Sequence, residues 1–152
     1  MEKKAQTKKK NAKKKTRNVK SLQAKGAFLS AFFYLMTLSK PTYKDLEVVK
    51  NDYPKRKYKI NISIPEFNAV CPKTGLPDFG IIHISYTPNK FIVELKSLKL
   101  YIVKFRNIGI FHESVTNKIM DDFTLACKPH KIKVLGEFSP RGGIKTTVET
   151  KI

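Results

Sequence analysis

"KSLKLYIVKFRNIGIFHESVTNKIMDDFTLAC", residues 96–127, sets the architecture because it holds two apolar stripes of helical period, one after the other. Leu98, Ile102 and Phe105 recur on one side of residues 96–107, and Val115, Ile119, Phe123 and Ala126 do so over 112–127. Pro129 then stops the second helix. Outward from this pair the period changes from about 3.6 to 2, as half-buried strands require. "YKINISI" (58–64) and "IIHISYT" (81–87) precede it, with "FIVEL" (91–95) extended after a "PNK" turn. "KIKVLGEF" (131–138) and "GIKTTVET" (143–150) follow, with "SPRGG" turning between them. "PEFNAVCPKTGLPDFG" (65–80), with its prolines and glycines, is expected to interrupt regular structure. The order β-β-α-α-β-β implies an α+β fold, an antiparallel sheet covered on one face by two helices. Hairpins at both ends leave sheet edges that need cover, which closure into a ring of copies would supply.

The chain has 152 residues, enough for one domain with a real core. Its formal net charge of +19 is unevenly spread, since residues 1–35 hold eleven Lys or Arg against one acid, Glu2. That leader is low in complexity and expected to be disordered; residues 36–57 lead into a folded domain over 58–152. Met36 begins a stretch that reads as an ordinary protein start, so an over-extended start stands beside a contacting tail as a reading of the leader. The apolar run "GAFLSAFFYLMTLS" (26–39) falls short of the roughly 20 residues a membrane helix needs. Two cysteines, Cys71 and Cys127, form no disulfide framework, and a reducing cytoplasm is the expected compartment. The moderately basic remainder suits an anionic small ligand as well as a polynucleotide.

"CPKTGLPDFG" (71–80) places a thiol and a carboxylate on a stretch stiffened by two prolines. Taken alone, Cys71 reads as a structural thiol and Asp78 as a turn former. Cys127, closing an apolar helix face, reads as packing. Glu113 at a helix start suits the macrodipole, and the lysines of "ELKSLKL" suit a solvated face. No G-x-G-x-x-G is present, so no Rossmann site is expected.

"FNAVCPKTGLPDFG", "VELKSLKLY", "FRNIGIFHESVTN" and "GEFSPRGGI", in this order and spacing, resemble the QueF-type nitrile reductases over roughly residues 58–146. The short, single-module form of that family is the one this chain is similar to. The resemblance implies the tunnelling fold, stacked rings (a homodecamer) and active sites at subunit boundaries. It also implies NADPH-dependent reduction of 7-cyano-7-deazaguanine to 7-aminomethyl-7-deazaguanine in queuosine biosynthesis, with neither nucleic acid nor membrane required. Carried onto matching positions, it makes Cys71 the nucleophile that forms a thioimide and Asp78 the general acid. Val93, Glu94, Leu95, His112 and Glu113 become substrate contacts. Leu95, Lys96, Lys99, Arg141 and Gly142 become cofactor contacts. Leu95 departs from the commoner Ser and offers no side-chain hydrogen bond. No metal is implied, although a zinc-using class shares the fold and Cys71, His112 and Cys127 are residue types that zinc accepts. An archaeosine-forming amidinotransferase is the alternative, weakened by the presence of "ELKSLKLY".

Overall fold

A computed structural model describes residues 39–152; the leader and residues 36–38 lie outside the described residues. A turn of 3-10 helix at Tyr43–Asp45 precedes a short strand, β1 (Val48–Lys50). Then come β2 (Ile60–Val70), β3 (Pro77–Thr87), β4 (Phe91–Val93), α1 (Leu95–Val103), α2 (His112–Cys127), β5 (Lys131–Arg141) and β6 (Ile144–Lys151). The main sheet has the order β2-β3-β5-β6, antiparallel throughout, while β1 and β4 form a separate pair.

Both helices cover the same face of this sheet. Along β3 the residues Ile82, Ile84 and Tyr86 are buried while Ile81, His83 and Ser85 are not, the alternation of a strand with one face on a core. Tyr86 meets Phe123 of α2 edge-on with centroids 4.8 Å apart. Phe67, register partner of Gly80 and so on the same face, meets Phe105 just beyond α1 at 5.9 Å. The two helices are tied together by the Tyr101 hydroxyl, which donates to Asp122 Oδ2 at 2.7 Å. At nine residues α1 is too short to persist alone in water, so burial of Leu98, Tyr101 and Ile102 holds it. Each such side chain contributes about 1.5–3 kcal/mol of transfer free energy.

The expected break over 65–80 is confined to residues 71–76. "PEFNAV" completes β2 and "PDFG" opens β3. The register runs Ile64↔Ile82 but then Phe67↔Gly80, so Pro65 and Glu66 together oppose Ile81 in a β-bulge. A bulge tolerates Pro65, which lacks the ladder donor, and it shifts the strand by one residue. Ile60, Ile62 and Ile64 pack toward the core before it; Phe67 and Ala69 do so after it. "FIVEL" likewise ends early, because the Glu94 carboxylate accepts from the Lys96 and Ser97 amides (2.8 and 2.6 Å) and starts α1 at Leu95. The helix expected over 96–107 tightens into 3-10 form at Lys104–Asn107. At the other end, β5 continues to Arg141 and a two-residue turn follows. Gly142 (φ 55°) and Gly143 (φ 80°) supply the left-handed pair that a tight hairpin demands.

Candidate active site

The bulge decides where the thiol points. Ala69 and Asp78 are register partners and project to one side of the sheet, the side that carries the helices. Cys71 still pairs with Leu76 through its amide (2.8 Å), two residues beyond Ala69, and so keeps that side. The Cys71 carbonyl accepts from the Gly75 amide at 2.9 Å, closing the turn. The chain thus folds back between Pro72 and Pro77 and brings residue 78 beside residue 71.

The Cys71 thiol is half-buried and held below its ordinary pKa. The first cause is a hydrogen bond from the Thr74 hydroxyl, followed by the Thr74 and Lys73 backbone amides; burial and the charge of Asp78 oppose it. Lys73 therefore acts through its amide more than through its ammonium group, and Thr74 is a contributor that residue type alone did not disclose. Donors to sulfur favour the thiolate, which is the nucleophilic form.

Asp78 is 5% exposed. Arg141 Nε stands 2.7 Å from its Oδ1, and His112 Nε2 stands 3.5 Å from the same oxygen. Arg141 also donates through Nη2 to the Pro77 carbonyl. His112 arrives here because the chain before α2 is pinned to the end of β2. The Val70 amide donates to Ile108 (3.0 Å), and the Ile110 amide donates back to Val70 (3.1 Å). The imidazole then lies flat on Phe138 of β5, ring centroids 3.8 Å apart and planes 2° from parallel. Gly136 makes the room, since a Cβ there would fall 2.8 Å from both the Phe138 ring and the Thr116 hydroxyl. Glu113 follows on the exposed first turn of α2.

The remaining candidates sit elsewhere. Val93 is buried in the core, with its amide donating to the Tyr86 hydroxyl at 3.2 Å. Tyr86 is eight residues along β3 from Asp78, about 26 Å at the rise of a strand. Glu94 therefore lies toward the opposite end of the sheet from the Asp78 cluster, its carboxylate occupied by the cap of α1 and held below the usual carboxylate range by those two amides. Leu95, 63% exposed, and Lys99 line a groove of ≈ 320 Å³ between α1 and β2, joined by Arg106 and an apolar floor of Ile62, Ile64 and Ile102. Lys96 is exposed and does not line that groove. Neither this groove nor the larger, shallower depression beside Phe79 and Pro140 includes Cys71 or Asp78. The titratable cluster of Asp78, His112 and Arg141 thus lies outside both depressions. Arg106, seven residues after Lys99, is the cation that the helical spacing would have revealed.

Cys127 is fully buried at the far end of α2 from His112, and burial pushes its thiol up to about 12. Cys71, His112 and Cys127 therefore do not converge as a zinc trio. His83 faces Glu137 on the other side of the sheet, 3.6 Å away, and belongs to neither cluster.

Comparison with known proteins identifies the family and the fold. The QueF-like protein family matches residues 77–152. The NADPH-dependent 7-cyano-7-deazaguanine reductase of Chloroherpeton thalassium is 60% identical over 103 residues, which cover 68% of this chain and 89% of that protein. The enzyme of the same name from Elusimicrobium minutum is 51% identical over 107 residues, covering 70% and 80%. A crystal structure of an archaeosine synthase, QueF-Like, in its apo form superposes with a TM-score of 0.58 at 19% identity, over 61% of this chain and 91% of that one, and this likeness carries the fold. Identity of this extent over nearly the whole of a relative leaves one conclusion: the chain belongs to the family of QueF-like, NADPH-dependent 7-cyano-7-deazaguanine reductases.

Proposed function

We propose that this protein reduces the nitrile of 7-cyano-7-deazaguanine to the aminomethyl group with NADPH, through a thioimide on Cys71, as a cytoplasmic step of queuosine biosynthesis. The observation that carries the reading is a thiol of lowered pKa on the same side of one hairpin as a buried carboxyl. A nitrile carbon is a modest electrophile and needs an activated nucleophile. The Cys71 thiolate forms the C–S bond while one C–N π bond opens, and the nitrogen takes its proton from the Asp78 carboxyl. NADPH, when bound, supplies a hydride for each of the two reductions between nitrile and amine. Once the carbon has accepted the first hydride, Cys71 leaves as thiolate and the C–S bond is broken.

Glu113, exposed one residue from His112, is placed to accept from the amino and ring N–H groups of a guanine-like base. His112, held flat on Phe138, shields the reacting carbon from water. The cations Lys99 and Arg106 in one groove fit the phosphates of NADPH, with Leu95 giving apolar contact beside them. Val93, Glu94 and Leu95 serve the substrate of a neighbouring copy in this reading. A bicyclic base cannot bridge the length of β3 between Asp78 and the Glu94 end, so the two sets meet only where two chains abut. This separation is the physical support for a ring assembly, a homodecamer of stacked rings by family resemblance.

Mixing the protein with 7-cyano-7-deazaguanine and NADPH should consume nicotinamide absorbance with two cofactors oxidised per amine formed. No oxidation, or nitrile consumption that requires ammonia in place of NADPH, would reject reduction and favour the amidinotransferase alternative.

A further inference from the structure

A guanidinium and an imidazole stand at a single oxygen of the acid. Arg141 Nε is 2.7 Å from Asp78 Oδ1, and the same guanidinium is anchored by a second N–H to the Pro77 carbonyl. Asp78 is almost wholly enclosed, its side chain 7% exposed, whereas that of Arg141 is 39% exposed. One face of the guanidinium therefore grips the acid and the other remains open to solvent. Arg141 is the last residue of β5, before a turn of two glycines in left-handed conformation. Its backbone pairs with Ile144 of β6 across that turn.

We infer that Arg141 is a displaceable latch on Asp78: in the enzyme without nucleotide it holds the carboxylate, and a phosphate of the bound nicotinamide nucleotide draws the guanidinium away and frees the acid. The inference rests on the reductase reading above. Thioimide formation needs one proton, shared between the Cys71 sulfur and the Asp78 carboxyl. The addition needs that proton on oxygen, so that sulfur is a thiolate and the carboxyl can donate to the nitrile nitrogen. An ion pair with a guanidinium favours the ionised carboxylate, so the latch opposes passage of the proton from sulfur to oxygen. Phosphate offers the same planar fork a bidentate partner of higher charge, and it reaches the open face without displacing any buried group. Atoms and electrons balance, since addition of the thiol across the nitrile moves the sulfur proton, by way of Asp78, to nitrogen. His112, stacked on Phe138, remains at Oδ1 when Arg141 departs and keeps the carboxyl in place. Arg141 is then a positioning residue, acting on the reacting atoms through Asp78.

The test is the rate of covalent adduct formation with 7-cyano-7-deazaguanine, followed by intact mass, on the full-length protein without reductant. In the wild type, added NADP+ should accelerate adduct formation by about tenfold, the lower end of what an adjacent guanidinium contributes to a carboxylate's ionisation. Arg141→Gln should form adduct at the accelerated rate without any nucleotide, and NADP+ should add nothing. Arg141→Lys, which retains charge but loses the fork, should fall between. Slower nucleotide-free addition in Arg141→Gln than in the wild type, with the fold intact by thermal unfolding, would overturn the latch and leave Arg141 as a fixed support. A wild type indifferent to NADP+ overturns it without any variant. If the wild type forms no adduct under any condition, the thioimide reading itself fails, and the latch with it.

Discussion

The two ends of the sheet are built on different principles. At the Cys71 end, three parts that are distant in sequence meet: the β2–β3 hairpin, the start of α2, and the end of β5 with Phe138 and Arg141. At the Glu94 end, a local device dominates, in which one carboxylate caps the helix that follows it. The first arrangement converges cation, imidazole and carboxyl on one oxygen; the second spends its acid on backbone amides two and three residues away. A group already satisfied by its own helix is a poor proton donor but a rigid wall. In the proposed reading, reaction falls to the end assembled from long-range contacts, where Glu113 also meets the base, and the locally fixed end supplies a wall.

Breaking the reactive end should have the largest effect. Cys71→Ala should abolish both turnover and the covalent adduct, because the other cysteine, Cys127, is buried and burial pushes its thiol up to about 12. Asp78→Asn should retain an alkylatable thiol while turnover falls by about 10²–10⁴-fold, the usual contribution of a positioned general acid. Measuring both on each variant separates the two roles. Equal loss of adduct and of alkylation in Asp78→Asn would show that the acid organises the thiol instead of protonating the substrate.

The groove that runs along α1 from Leu95 to Arg106 should respond in binding. Lys99→Ala combined with Arg106→Ala removes both cations that line the groove beside Leu95. The expected outcome is a raised KM for NADPH with kcat nearly unchanged, the signature of lost uniform binding. A fall in kcat with an unaltered KM would place the cofactor elsewhere and unmake the division of labour between that groove and the Cys71 end.

How much of this was legible in residues 39–152 follows from the same contrast. The helix faces were plain, because Leu98, Ile102, Phe105, Val115, Ile119 and Phe123 recur with a local period that no partner needs to reveal. The strand lengths were not, because Pro65 reads as a breaker unless a bulge is known to absorb its missing donor. β1 went unseen for a different reason: three residues paired only with β4 carry no periodic signal. Cys71, Asp78 and His112 could be named from motif resemblance. Their mutual geometry could not, since it depends on the register of Ala69 with Asp78 and on the bridge between Val70 and residues 108–110. The grip of Arg141 on Asp78 spans 63 positions of chain and leaves no trace in spacing. Capping by Glu94, in contrast, is a relation over three residues, although Glu stands where Ser, Thr, Asp or Asn is the usual cap.

The smallest expected effect sharpens the comparison most, because it tests whether the turn itself, and not only its distant partners, tunes the sulfur. The Thr74 hydroxyl is the first cause of the lowered Cys71 pKa, ahead of the two backbone amides. Thr74→Val keeps the β-branched shape and removes that donor, while the amides of Lys73 and Thr74 remain. A thiol whose pKa is lowered ionises at lower pH, so its alkylation by iodoacetamide rises at lower pH than that of an ordinary cysteine. Losing the donor should move that rise to higher pH and leave the plateau rate, set by the thiolate itself, nearly unchanged. Asp78→Asn should move it the opposite way, because the carboxylate charge opposes ionisation of Cys71. Opposite displacements from two neighbours of one sulfur would show that it is balanced between a local turn and a long-range cluster. Displacement in one direction by both variants would mean that the turn collapses when either side chain is changed, and that the reactive end is no more than its hairpin.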